Sequence, residues 1–96
     1  MGSLLARDVS AALVKKGFEK RESHHTYFHF KYEGRDVGVN TKISQGEKEI
    51  RDTLITLMRR QLRLETTAQF REFVECPLTL QKYLDILKGR GVIPIK

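Results

Sequence analysis

The amino-acid sequence predicts an α+β fold in which one helix precedes an antiparallel three-stranded sheet and a second helix follows it. Three patterns indicate this order: helical spacing of apolar residues near the N-terminus, alternation between positions 26 and 41, and helical spacing again from position 54. Further helices are predicted after these elements. We divide the 96 residues into a core over 1–64 and a helical C-terminal extension over 65–96 that packs on the core.

The first helix is predicted to run from about Leu5 to Lys16. Its apolar residues recur at i, i+4, i+7 and i+8 and therefore share one helix face: Leu5, Val9, Ala12 and Leu13. Gly17 suits the left-handed position that often ends a helix, because glycine has no Cβ. We therefore expect the helix to end before Gly17 and a new pattern to begin at Phe18.

Three antiparallel strands are predicted between Phe18 and Thr41, joined by short turns. Successive side chains of a strand point to opposite faces of the sheet. Glu33-Gly34-Arg35 carries a turn signal, and alternation resumes after it. One face is expected to pack on the helices, through Phe28, Phe30, Val37 and Val39. The opposite, more solvated face is expected to carry His25, Tyr27 and His29.

The second helix is predicted from about Lys48 to Gln61. Its apolar residues follow helical spacing: Leu54, Leu57, Met58 and Leu62. The order of helix, three strands and helix is that of a double-stranded-RNA-binding-like domain.

Two further helices are predicted in the extension. Thr66 and Thr67 are candidate caps for the third helix, which Pro77 should end because proline cannot continue a helix interior. The fourth helix should be capped by Thr79 and should end at the glycine pair Gly89 and Gly91.

The chain is basic, with 18 Lys and Arg against 12 Asp and Glu and a formal charge of +6. Most of the positive charge lies in residues 1–64, the part that also holds the histidines. A positive surface favours association with phosphate backbones, and nucleic acid is therefore the expected class of partner.

All three histidines fall within six residues, in the segment Glu22-Ser23-His24-His25-Thr26-Tyr27-Phe28-His29-Phe30. Histidine exchanges protons near neutral pH, so a cluster on a basic surface indicates proton transfer on an anion such as RNA. The alternative is that these are solvated strand histidines without a task. A metal site is disfavoured, since His24 and His25 should point to opposite faces, and His25 and His29 lie about 13 Å apart along a strand. We expect no metal and no cofactor.

The segments that follow one another along residues 5–64 resemble the HicA toxin family, small ribonucleases of toxin–antitoxin pairs. The resemblance is carried by Gly17-Phe18 at the end of the first helix, Ser23-His24-His25 with Tyr27, and Gly46 followed by Lys48-Glu49-Ile50 and Thr53-Leu54. Glu22 and Asp52 stand where the family pattern has glycine.

The resemblance implies metal-independent RNA cleavage, in which a histidine takes the proton of a ribose 2′-OH. His24 matches the catalytic histidine, and His25 is its close rival. Lys20, Arg21 and Lys42 are expected to contact phosphate, Tyr27 to stack on a base, and His29 to join the RNA-binding set. The alternative is a non-catalytic module of the same fold that binds RNA or a protein.

The implied partners are RNA, a HicB-like antitoxin and a second copy of the chain. The single cysteine, Cys76, cannot form an internal disulfide, and we see neither a signal peptide nor the roughly 20 apolar residues that cross a membrane. These features favour a cytoplasmic protein without membrane contact.

Overall fold

The computed structural model describes residues 3–75 and 78–94 and has an α+β fold, as predicted. Within these residues there are four helices, a three-stranded antiparallel sheet and a two-stranded ribbon. Their bounds are β1 Leu4–Leu5, α1 Ala6–Lys15, β2 Phe18–Glu22, β3 His25–Tyr32, β4 Arg35–Ser44, β5 Glu49–Ile50, α2 Asp52–Gln61, α3 Thr67–Glu75 and α4 Leu80–Gly89.

The main sheet has the strand order β2-β3-β4, with both neighbouring pairs antiparallel. Its inner face packs on the helices, and Phe28, Phe30 and Val39 are almost fully buried there. This is the face that the alternation predicted. Val37 is half-buried and packs against the same core.

One hydrophobic cluster joins the sheet to all four helices. Its centre is a set of aromatic rings in which Phe18, Phe30 and Phe73 each lie within 6.1 Å of Tyr83 between ring centroids. The Tyr83 hydroxyl donates to the Leu62 carbonyl at 2.8 Å, and burial raises the pKa of Tyr83. Because α3 and α4 supply two of these rings, the extension completes the core instead of only covering it.

Three helix ends carry the glycine or threonine that the sequence predicted there. Gly17 has a φ of +94° two residues after the end of α1, in the left-handed region that favours glycine. The Thr66 and Thr79 hydroxyls accept hydrogen bonds from the backbone N–H groups of Gln69 and Lys82, at 3.0 and 3.2 Å. These are side-chain caps at the starts of α3 and α4. The predicted stop at Pro77 lies outside the described residues, as does Cys76.

The prediction that the second helix starts near Lys48 is wrong, since α2 begins at Asp52. Glu49 and Ile50 form β5, which pairs with β1, and the Ala6 N–H donates to the Lys48 carbonyl at 2.9 Å. Ile50 is fully buried in the position that pairing with β1 gives it. This pairing needs an extended backbone at Glu49 and Ile50, so the helix cannot start before them.

None of the helices in residues 3–75 and 78–94 has the length and apolar character needed to span a membrane.

Candidate nucleic-acid interface

The face of the main sheet opposite the core carries a mixture of cations, rings and carboxylates, and we call it the open face. Residues that are directly paired across antiparallel strands share a face. The register pairs Arg21 with Tyr27 and Tyr27 with Lys42, so these three side chains form one row across the sheet, called here the central row. With strands about 4.8 Å apart, the row spans about 10 Å.

His25 stands at one end of the open face, beside the central row. Its ring meets the Tyr27 ring edge-on, with centroids 6.1 Å apart and an interplanar angle of 76°. The Nδ1 atom of His25 is buried without a hydrogen-bond partner. The His25 side chain as a whole is half-buried. It lies next to Tyr27, the aromatic residue predicted to stack on a base.

His24 lies in the turn between β2 and β3 and is exposed. The turn is closed by a 2.9 Å hydrogen bond from the Ser23 N–H to the His25 carbonyl. The Gln45 side-chain amide also donates to the Ser23 carbonyl, at 2.6 Å, and ties the turn to the end of β4. The two candidate catalytic histidines are consecutive, but only His25 belongs to the open face by strand register.

His29 lies on the open face on the far side of Tyr27 from His25, in a row with Glu19 and Asn40. Its Nδ1 atom is 3.4 Å from Asp36 Oδ2, which is ion-pair distance without the alignment of a hydrogen bond. The other carboxylate oxygen of Asp36 accepts from the Gly38 N–H at 2.9 Å.

Both carboxylates near His29 are held in the ionised form. The Gly38 N–H is the main cause of the lowered pKa of Asp36, and the neighbouring cations add to it. Arg21 is the main cause of the lowered pKa of Glu19, because its guanidinium donates to Glu19 Oε1 through Nε at 3.1 Å and Nη2 at 2.9 Å. The ionised carboxylates of Glu19 and Asp36 therefore lie at the His29 end of the open face, on the side away from His25.

The structure divides the predicted RNA-contacting residues between two faces of the sheet. Arg21, Tyr27, His29 and Lys42 share the open face. Lys20 is paired with Phe28 and lies on the helix side, where its Nζ is 3.6 Å from Glu22 Oε2. Lys20 and Glu22 thus direct their charges to the side of the sheet away from Tyr27.

The open face also carries polar residues that were assigned no role from the sequence, among them Glu19, Lys31, Asn40 and Asp36. Lys31 and Asn40 belong to it by simple alternation, so that pattern was enough to find them. Asp36 reaches His29 only because the register shifts between His29 and Lys31, an irregularity that alternation does not reveal.

In the part of the chain that the structure describes, no three His, Cys, Asp or Glu side chains converge to hold a metal ion. Comparison of the chain with protein-family models, with curated proteins and with solved structures finds no match in any of the three.

Proposed function

We propose that the protein binds unpaired RNA on the open face, with a base stacked on Tyr27 and phosphates near Arg21 and Lys42. The central row is the observation that carries this proposal, because it sets an aromatic ring between two cations on one face. Proteins that bind single-stranded nucleic acid combine aromatic stacking platforms with positive charge along the backbone path.

The proposal concerns unpaired RNA because a duplex keeps its bases stacked within the helix and offers Tyr27 no free base. The central row is about 10 Å long, so it can contact only a short segment of an RNA strand. If two phosphates are neutralised, the logarithm of the binding constant should fall with the logarithm of salt with a slope of about −1.4.

The resemblance to HicA proteins supports RNA as the ligand, since the order α1, β2, β3, β4 and α2 is the order expected for that family's double-stranded-RNA-binding-like core. The same resemblance makes a HicB-like antitoxin the proposed protein partner.

Binding is tested by fluorescence anisotropy with a labelled single-stranded RNA and the matching duplex, over a range of salt concentrations. Tyr27→Ala should weaken binding of the single strand by about 1–3 kcal/mol, the contribution of one stacked base. Arg21→Gln and Lys42→Gln should weaken binding and reduce the salt slope. Lys20→Gln is the matched control, because Lys20 adjoins Arg21 in the chain but lies on the other face.

Equal weakening by Lys20→Gln and Arg21→Gln, or a Tyr27→Ala variant that binds as the wild type does, would contradict binding on the open face.

Metal-independent RNA cleavage is a second candidate function, and one observation favours it: His25 shares the open face with Tyr27 and lies beside it. The histidine would take the 2′-OH proton, the 2′-oxygen would bond to the adjacent phosphorus, and the leaving 5′-oxygen would take a proton from a second group.

Cleavage is tested by incubating the protein with a mixed RNA pool in the presence of a chelator. RNA should be cut, and His25→Ala should abolish cutting while it retains binding. His24→Ala tests the rival histidine, which is exposed and lies in the turn instead of on the open face. Intact RNA with the wild-type protein would leave the binding proposal standing and reject cleavage.

A further inference from the structure

The pair of His29 and Asp36 is the part of the open face that stacking and phosphate binding leave without a role. Of the three histidines, all of which are described, His29 is the one with a carboxylate oxygen at ion-pair distance from a ring nitrogen, at 3.4 Å. The side chains remain partly exposed, 28% for His29 and 42% for Asp36. A ligand on the open face can therefore reach them.

Backbone geometry holds the Asp36 carboxylate in this position. The register of β3 and β4 shifts between His29 and Lys31, and Gly38 on the opposing strand has a φ of +83°. Such irregularities in a sheet re-aim side chains. The Gly38 N–H fixes one carboxylate oxygen and leaves the other facing His29.

An ionised carboxylate next to Nδ1 determines which nitrogen of a neutral imidazole carries the proton. The carboxylate only accepts hydrogen bonds, so it favours a proton on Nδ1 and leaves the lone pair on Nε2. His29 Nδ1 is buried while the side chain as a whole is 28% exposed, so Nε2 is the ring nitrogen left for a ligand. In the free protein this contact lacks the alignment of a hydrogen bond, but hydrogen bonds that are poorly aligned in a free site can tighten when the ligand binds.

We propose that His29, positioned by Asp36, accepts a hydrogen bond from a ribose 2′-OH and thereby makes the open face select RNA over DNA. The inference rests on the proposed RNA binding. His29 follows Tyr27 by two residues on the same face, about 7 Å along β3, so a nucleotide stacked on Tyr27 brings a ribose into this range. The 2′-OH is the group by which a protein distinguishes the two nucleic acids at one site.

The test compares the affinities of one RNA strand and a DNA strand of the same sequence with deoxyuridine in place of thymidine, so that only the 2′-OH differs. Anisotropy is measured in mildly alkaline buffer, because only the neutral imidazole is an acceptor. RNA integrity is checked on a denaturing gel. The wild-type protein should prefer RNA by about tenfold, the value of one hydrogen bond of about 1.4 kcal/mol.

In two variants the ratio of RNA affinity to DNA affinity should fall close to one. His29→Phe keeps a ring and removes the acceptor. Asp36→Asn keeps the oxygen that accepts from Gly38 and removes the charge that fixes the imidazole proton. Glu19→Gln is the matched control: it removes an equal charge next to His29, so it should raise RNA and DNA affinity together and leave their ratio unchanged.

A wild-type protein that binds both strands equally, or a preference for RNA that survives in both His29→Phe and Asp36→Asn, would overturn this inference while RNA binding on the open face stands. A wild-type protein that binds neither strand would contradict the proposed function itself.

Discussion

At the scale of single residues, Lys16 shows how the interior accommodates a charged side chain. It is only 4% exposed, and its Nζ donates to the Phe73 carbonyl at 2.7 Å while lying 4.8 Å from the centre of the Phe73 ring. Residue 77 is proline, which has no backbone N–H, so the residue four positions after Phe73 cannot donate the hydrogen bond that a continuing helix would provide. Lys16, the residue directly after α1, therefore gives a carbonyl in the last turn of α3 a hydrogen-bond donor.

Lys16→Met should lower the free energy of unfolding by about 1–3 kcal/mol, because a buried carbonyl loses its charged donor. The measurement is denaturant unfolding followed by circular dichroism. Lys82→Met, at an exposed position of α4, is the control and should change stability by no more than about 0.5 kcal/mol. Equal effects of the two substitutions would contradict the role assigned to Lys16.

At the scale of elements, the helices are delimited by backbone conformation as well as by their apolar faces. Gly17 and Gly89 illustrate two different roles of glycine at helix ends. Gly17 has a positive φ after α1, whereas Gly89 is the last residue of α4 and has open space where a Cβ would stand.

Gly17→Ala should destabilise the protein by about 1–2 kcal/mol, because a residue with a Cβ is strained in the left-handed region. The nearest side-chain atom to the added Cβ would be Phe30 Cε1 at 3.6 Å, an ordinary contact, so the cost comes from the backbone. Gly89→Ala is the matched variant and should stabilise by about 0.4–1 kcal/mol. Thermal unfolding measures the change in stability of both variants. Changes of the same sign would contradict the different roles assigned to Gly17 and Gly89.

Much of the element order was readable from the sequence because long elements leave long periodic patterns. The ten-residue helices α1 and α4 and the eight-residue strand β3 are of this kind. The ribbon of β1 and β5 was missed, since two-residue strands are too short to show alternation and their pairing joins residues 44 and 46 positions apart. Likewise, the contact between Asp36 and His29 depends on a register shift between strands, which no local pattern encodes.

At the scale of the whole molecule, the protein consists of two layers, with helices on one side of the sheet. Its shortest extent is 19 Å, which accommodates one sheet and one layer of helices of about 10 Å diameter. The described chain therefore leaves the open face uncovered. The extension belongs to the helical layer, where α3 packs against both α1 and α2.

A chain that ends at residue 64 should fail to unfold cooperatively, because it lacks Phe70, Phe73 and Tyr83, all fully buried. Removal of such aromatic side chains costs about 3–5 kcal/mol each, against a typical total stability of 5–15 kcal/mol. Calorimetry of the truncated and full-length chains measures this directly. A sharp transition in the truncated chain would show that residues 1–64 form a core of their own.

Whether nucleic acid binds on the open face of the sheet can be measured by following amide chemical shifts during titration with a short single-stranded RNA. Binding on the open face should place the largest shifts on β2, β3 and β4 at Arg21, Tyr27 and Lys42, with small shifts in α1 and α2. Shifts confined to the helical side of the molecule, with the central row unchanged, would contradict it.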